Sequence, residues 1–210
     1  MAEALTLYSN PMSRGRTARW MLEEVGAPYD VETLEFGTTI KAPAFLAINP
    51  MGKVPAISHG DRVVTEVAAI CAYLADAFPE AGLAPPVNAR ADYYRWMFFT
   101  AGPLEAAMTN RVMGFALADE QRQGSGYGSY DVTVSTIADA VAKSDFIAGD
   151  TFSAADLFIG SMLEYALNFE MIAPQPALTD YVARVTDRDG HKRANDKDNA
   201  LMAAGEDGAA

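Results

Sequence analysis

Cysteine and histidine are scarce in this chain of 210 residues, which contains one cysteine, Cys71, and two histidines, His59 and His191. A single cysteine leaves no internal disulfide framework and no Cys-based metal site. The two histidines lie far apart in the sequence, which argues against a His-centred catalytic triad and against a His-rich metal site. We therefore expect no metal cofactor.

Basic residues and long apolar runs are also lacking. The chain has 16 Lys and Arg against 28 Asp and Glu, a formal net charge of −12, whereas nucleic-acid binding needs a basic surface. No apolar run approaches the ~18 residues that a membrane helix needs, and the first residues, MAEALTLYS, lack the basic and apolar regions of a signal peptide. We expect a cytoplasmic protein without nucleic-acid or membrane partners.

The first 80 residues alternate between strand and helix patterns. Apolar residues at 4–8 predict a buried strand, and apolar residues at helical spacing predict a helix with Ser13 as N-cap and Gly26 as stop. A second strand follows at 29–36, and because only a helix separates the two strands, they should be parallel. A short helix, an antiparallel hairpin and an apolar helix complete a βαβαββα order.

The remaining sequence has a different organisation. A Pro- and Gly-rich stretch after Phe78 breaks every periodicity, and the sequence beyond it is helical throughout. We predict an α/β domain at residues 1–80, a linker at 81–89 and an all-helical domain at 90–210.

The stretch NPMGKVPAI contains Val54 and Pro55 immediately before an apolar strand. Proline cannot donate to a sheet ladder, so the chain lies at an edge or turns away at this point. A cis Val54–Pro55 bond would leave the Val54 N–H and C=O free to pair with an extended peptide ligand. The alternative is an ordinary proline at the start of a strand.

Glu66 lies in VTEVAAICAYL, where a strand gives way to a helix. Its carboxylate could accept the ammonium group of a ligand, and the free N–H groups near Val67 and Ala68 would attract a ligand carboxylate. The alternative is an acid that only complements the helix dipole, which contributes ~0.3–1 kcal/mol.

The combination of RTARWMLEEVGAPYD, NPMGKVPAI, TEVAAICAYL, a Pro-rich linker and an all-helical second half resembles the cytosolic glutathione transferases of bacterial type. The resemblance covers nearly the whole chain. It implies a thioredoxin-like first domain, a helical second domain and a homodimer. It also implies glutathione as co-substrate, and a detoxifying transfer to a small apolar electrophile.

The resemblance also implies roles for five residues of the first domain. Val54, with Pro55 cis, would bond the cysteinyl backbone of glutathione. Glu66 and Val67 would hold its γ-glutamyl end, and Lys53 could reach its glycyl carboxylate. The family usually has Ser or Thr where this chain has Val67, so one hydroxyl contact is missing, at a cost of ~1.5–3 kcal/mol of affinity.

The family activates the thiol with a Tyr, Ser or Cys after the first strand, and here the segment is LYSNPMSRGR. We prefer Ser13, because it lies at the start of the first helix, where the N–H groups and the dipole add positive potential. Ser9 and Tyr8 are the alternatives. For Ser13 itself, a plain N-cap is the competing role.

Three further features lie on helices. Tyr93, Met97 and Met108 could line an electrophile pocket or pack inside a helical core. The segment GDTFSAAD resembles the capping box of the family, with Ser153 and Asp156 in structural roles. Cys71 lies on an apolar stripe, which predicts a buried and inert thiol.

Thiolate activation would support transfer, thiolytic reduction, dehalogenation or isomerisation, and the sequence favours none of these over the others. The alternative function is a non-catalytic ligand-binding or partner-docking protein that keeps the fold. A thiol–disulfide reductase is a third hypothesis, but no cysteine follows the first strand, where that chemistry ordinarily places its thiolate.

Overall fold

A computed structural model describes residues 3–207 of the chain. Its sheet has four strands in the order β2-β1-β3-β4. The strand bounds are β1 Leu5–Ser9, β2 Asp30–Thr33, β3 Ala56–His59 and β4 Arg62–Thr65. β1 and β2 are parallel, as predicted, and β3 is antiparallel to both β1 and β4.

Three helices alternate with these strands in the βαβαββα order that the sequence predicts. They are α1 Gly15–Val25 after β1, α2 Pro43–Leu46 after β2 and α3 Val67–Ala77 after β4. Helix α1 ends at Gly26, whose φ of 70° is the left-handed conformation that glycine adopts without a steric cost. Leu7 and Ile57 of the sheet pack in one core with Met21, Ile70 and Leu74 of the helices, all fully buried. The predicted thioredoxin-like fold is confirmed.

The rest of the chain is helical. Its helices are α4 Ala91–Phe99, α5 Glu105–Val112, α6 Tyr130–Val141, α7 Ala154–Asn168, α8 Pro176–Thr186 and α9 Asp189–Asp207. One wide π-helical turn at Thr100–Leu104, which contains Pro103, joins α4 to α5. Proline lacks the N–H that a regular α-helix needs at this point, so the ladder widens around it.

By their contacts, the residues form two compact units: one contains the chain up to Leu83 together with the residues from Arg188 onward, and the other contains Ala84–Asp187. This grouping differs from the predicted one after residue 187, because α9 packs on α1 of the first unit. The buried Arg19 Nε donates to Asp198 Oδ1 over 2.9 Å, and Arg188 pairs with Glu24 over 2.7 Å. The first pair joins α9 to α1, and the second joins the residue before α9 to the same helix.

Glu23 is the most connected acid of this α1–α9 contact. Its carboxylate accepts hydrogen bonds from Tyr29 Oη at 2.5 Å, from Arg193 Nε at 3.1 Å and from Lys197 Nζ. Burial alone would raise the pKa of Glu23, but the bonds from Lys197, Tyr29 and Arg193 outweigh it and hold the pKa below its ordinary value of 4.5. The charged form is therefore the one that the fold stabilises.

We expect the Glu23→Gln substitution to lower the free energy of unfolding by about 1–2 kcal/mol at pH 7, because it removes hydrogen bonds between charged groups. The pKa is lower in the folded chain than in the unfolded one. The contribution is therefore present above the unfolded-state value and is lost as the pH falls through the folded-state value. Urea unfolding at a series of pH values between 7 and 3 measures this.

The matched control is Glu32→Gln, which changes an exposed acid of β2. The difference between wild type and Glu23→Gln should shrink as the pH falls through the lowered pKa of Glu23, whereas the control should match wild type throughout. A difference that stays constant from pH 7 to pH 3 would show that the Glu23 charge contributes nothing.

Candidate functional site

The sheet register brings three segments to one end of the sheet. Tyr8 pairs with Ala56, and Ala56 pairs with Thr65 on the next strand. The chain therefore leaves β1 at Ser9, enters β3 after Pro55, and leaves β4 just before Glu66, all at the same end. Neighbouring strands are about 4.8 Å apart, so these segments lie close together.

Val54 presents its main chain at this end. The Val54–Pro55 peptide bond is cis. Within residues 3–207, neither the Val54 N–H nor its C=O forms a hydrogen bond. Asn49 holds the preceding loop, since its Nδ2 donates to the Lys53 C=O at 2.8 Å and its Oδ1 accepts from the Met51 N–H at 3.1 Å. The Lys53 side chain is exposed.

Glu66 is exposed and has a φ of 67°, a left-handed conformation that is unusual for a residue with a side chain. Such a conformation costs of order 1–3 kcal/mol and persists where the surrounding structure imposes it. The residue immediately precedes α3, and no side chain caps the first N–H groups of that helix. The start of α3 therefore has a negative group, the Glu66 carboxylate, and partly positive groups, the uncapped N–H groups from Val67 onward. A ligand with both an ammonium and a carboxylate group could pair with the two.

Ser13 occupies the turn before α1. Its Oγ–H donates to the Asn10 C=O at 2.7 Å, and its Oγ accepts from the Gly15 N–H at 2.9 Å. The second bond satisfies the N–H of the first residue of α1, but Ser13 is not the predicted N-cap, because the cap position falls on Arg14. Ser13 is half-buried, so its hydroxyl can still be approached.

Ser9 and Tyr8, the alternatives to Ser13, are placed differently. Ser9 is only 1% exposed, and its Oγ has no hydrogen-bond partner within residues 3–207. Tyr8 is half-buried, and its ring packs against Phe45 with 5.8 Å between centroids, in a small apolar cluster that also includes Val54. The Ser9 hydroxyl is therefore less open to a ligand than that of Ser13.

Two asparagines support this site, and the sequence analysis did not single them out. Asn10 and Asn49 each precede a proline, and each side chain makes the same pair of bonds. The Oδ1 accepts from the N–H two residues later, at Met12 and Met51 respectively. The Nδ2 donates to a more distant C=O, at Leu34 for the first turn and at Lys53 for the second. The repeated Asn-Pro pair is the signal that could have revealed them.

The predicted electrophile-pocket residues are buried inside the helical unit. Tyr93 is 1% exposed, Met97 3% and Met108 2%. A cavity of about 550 Å³ in the same unit lies elsewhere, and its lining includes Arg111, Tyr130 and the connection between α7 and α8. In this unit the three predicted residues are core residues, and their part in an electrophile pocket stays a prediction.

Cys71, Ser153 and Asp156 have structural roles. Cys71 is fully buried, as predicted, and burial raises the pKa of its thiol to about 12. Ser153 and Asp156 form the predicted capping box.

Across residues 3–207, no group of three His, Cys, Asp or Glu side chains is placed to hold a metal ion. No helix in that range is both long and apolar enough to cross a membrane.

Comparisons with known proteins agree with this architecture. Residues 3–76 match the family described as the glutathione S-transferase N-terminal domain. Glutathione S-transferase GST-4.5 of Xanthomonas campestris is 28% identical over 169 residues, which cover 77% of this chain and 82% of that protein.

Two solved structures extend the likeness to the full length. A glutathione S-transferase from Xylella fastidiosa superimposes with a TM-score of 0.77 and 25% identity, over 93% of this chain and 98% of that one. A glutathione transferase homologue from Sulfitobacter, with bound glutathione, gives a TM-score of 0.72 and 27% identity, over 92% and 98% of the two chains. Residues 3–76 therefore carry the glutathione S-transferase N-terminal domain, and the chain is similar to glutathione S-transferases over nearly its full length.

Proposed function

We propose that this protein is a glutathione transferase, which binds glutathione at the end of the sheet beside Val54 and directs the glutathione thiolate at a small apolar electrophile. The observation that carries the proposal is the main chain of Val54, whose N–H and C=O form no hydrogen bond within residues 3–207. An extended peptide can add to such an edge as a further strand. The glutathione bound to the Sulfitobacter relative supports the same ligand here.

Each end of the tripeptide has a complementary group. The γ-glutamyl ammonium group pairs with the exposed Glu66 carboxylate, and the γ-glutamyl carboxylate accepts from the uncapped N–H groups that begin at Val67. The cysteinyl backbone bonds to Val54 beside Pro55. Lys53 is exposed and reaches the glycyl carboxylate. No metal takes part in this scheme.

Ser13 activates the thiol in this proposal. A free thiol of this kind has a pKa near 8.5, and each unit by which a hydrogen bond lowers that value corresponds to ~1.4 kcal/mol. The Ser13 hydroxyl turns from the Asn10 C=O to the sulfur and keeps the bond that it accepts from the Gly15 N–H. The thiolate then attacks an electrophile that is already held nearby, so proximity adds to activation.

The finer parts of the proposal are an apolar electrophile site that includes Tyr93, Met97 and Met108, a homodimeric assembly, and a detoxifying role in the cytoplasm. Sedimentation equilibrium tests the assembly.

Turnover of glutathione with an aryl halide, followed by the absorbance of the thioether product, tests the function. The expected result is saturable turnover that depends on both substrates. Binding of glutathione by calorimetry without any turnover would instead favour a non-catalytic binding protein, for which the engagement of the Ser13 hydroxyl with Asn10 is the supporting observation. Reduction of glutathionyl mixed disulfides would favour the reductase hypothesis.

We expect the Val67→Ser substitution to strengthen glutathione binding about tenfold or more, because it restores a hydroxyl donor to the γ-glutamyl carboxylate, and a hydrogen bond to a charged group contributes ~1.5–3 kcal/mol. Calorimetric titration with glutathione measures the change in Kd.

The matched control is Val63→Ser, which places the same new hydroxyl on the exposed surface of β4. Its Kd should equal that of wild type. If Val67→Ser binds glutathione no more tightly than this control, the γ-glutamyl end does not lie at the start of α3.

A further inference from the structure

Ser9 is a buried polar residue beside the proposed site, and the mechanism proposed above gives it no role. Its side chain is 1% exposed, so the hydroxyl cannot touch a ligand. Its Oγ also lacks any hydrogen-bond partner within residues 3–207. A buried hydroxyl without a partner lowers stability, so a role in another state of the site would account for its presence.

Gly15 links this buried hydroxyl to Ser13. A Cβ atom placed on Gly15 would lie 1.9 Å from Ser9 Oγ and 3.0 Å from Ser13 Oγ. The two hydroxyls therefore flank the same point, and the space between them exists because residue 15 has no side chain.

Ser13 Oγ has room to accept one further hydrogen bond, which the Ser9 hydroxyl could donate. A serine hydroxyl has one O–H to donate and two lone pairs that accept. The Gly15 N–H occupies one lone pair, and the O–H points to the Asn10 C=O. When the O–H turns to a thiolate, the second lone pair remains available to Ser9.

We propose that Ser9 is a positioning residue for thiol activation: its hydroxyl donates to Ser13 Oγ while Ser13 donates to the glutathione thiolate. The inference rests on the proposed function. Two donors on one oxygen make the remaining O–H a stronger donor, because hydrogen bonds in a chain polarise one another. Ser9 thereby lowers the pKa of the bound thiol without touching glutathione.

The Ser9→Ala variant separates this role from a purely structural one. We expect the pKa of the enzyme-bound glutathione thiol, measured from thiolate absorbance against pH, to rise by about half to one unit, where one unit is a tenfold change. The kcat/KM with an aryl halide should fall about three- to tenfold at a pH below both pKa values and converge with wild type at high pH. The KM for glutathione should not change.

The thermal midpoint gives an independent readout. Because Ser9→Ala removes a hydroxyl that lacks a partner, the Tm should stay the same or rise while the thiol pKa rises. Ser9→Cys keeps a weak donor of similar size and should restore part of the effect. Ser58→Ala, on the neighbouring strand β3, is the matched control and should match wild type in all of these measurements.

The outcomes distinguish the inference from the function beneath it. A wild-type enzyme that ionises bound glutathione, together with a Ser9→Ala variant of unchanged thiol pKa, overturns the role of Ser9 and leaves the transferase standing. A Ser9→Ala variant that loses Tm and activity equally at every pH also overturns it, since that pattern is structural. A wild-type protein that neither binds nor ionises glutathione overturns both.

Discussion

Ser13→Ala is expected to lower kcat/KM for the conjugation of glutathione to an aryl halide about 10- to 100-fold at neutral pH. The variant loses the hydroxyl that donates to the thiolate, and one hydrogen bond to a charged group is worth ~1.5–3 kcal/mol. The pKa of the bound thiol should return towards ~8.5, the value of a free thiol. The pH–rate profile of the variant should therefore shift to higher pH and approach wild-type rates only in alkaline solution.

Two controls separate this effect from damage to the fold. Ser13 also accepts the Gly15 N–H and donates to the Asn10 C=O, so its loss should lower stability by about 1 kcal/mol. Ser13→Thr keeps the hydroxyl and should keep most of the activity, and Ser135→Ala on the exposed surface of α6 should behave as wild type. If the pH–rate profile of Ser13→Ala is unchanged, a group other than Ser13 activates the thiol.

Ser13 shows how far the sequence specifies this site. The position of the serine before α1 could be predicted, because an apolar helical stripe ending at Gly26 fixes where the helix lies. The direction of its O–H could not be predicted. That direction depends on the Asn10 C=O, which the Asn10–Pro11 turn brings within 2.7 Å of Ser13 Oγ.

Asn10 and Asn49 show why the supporting residues escaped prediction. Each asparagine bonds one local N–H, and such a turn can be read from a dipeptide. Asn10 also donates to the Leu34 C=O, 24 positions away in sequence, which only the folded chain brings near, whereas the Asn49 acceptor lies within its own loop at Lys53. Local patterns can indicate the turn but not its distant partner.

The placement of α9 was also missed because it depends on partners that are distant in the sequence. Its sequence is helical and strongly charged, so it continues the all-helical pattern that begins at residue 90. Its location depends on charge pairs with α1 that are separated by more than 160 positions, such as Arg19 with Asp198 and Glu23 with Arg193. Apolar periodicity, which predicts most of the other elements, carries no information on these pairs.

Asp156→Ala is expected to lower the free energy of unfolding by about 3–5 kcal/mol. The carboxylate is fully buried and accepts from the Ile147 N–H at 2.7 Å, the Ser153 N–H at 2.9 Å and the Tyr181 Oη–H at 2.8 Å. Burial raises the pKa of Asp156, and these bonds oppose that rise. Removal of the acceptor leaves several buried donors unpaired, and each unpaired donor costs ~1–3 kcal/mol.

Thermal and urea unfolding measure the loss, which should lower the Tm by about 10 °C in a chain of this size. Tyr181→Phe removes one of the donors and keeps the acceptor, so it should cost only about 1–2 kcal/mol. Asp150→Ala, an exposed acid near the start of the same helix, is the matched control and should be neutral. If Asp156→Ala unfolds at the same urea concentration as Asp150→Ala, the buried carboxylate does not hold the start of α7. The many hydrogen bonds at Asp156 would then contribute no net stability.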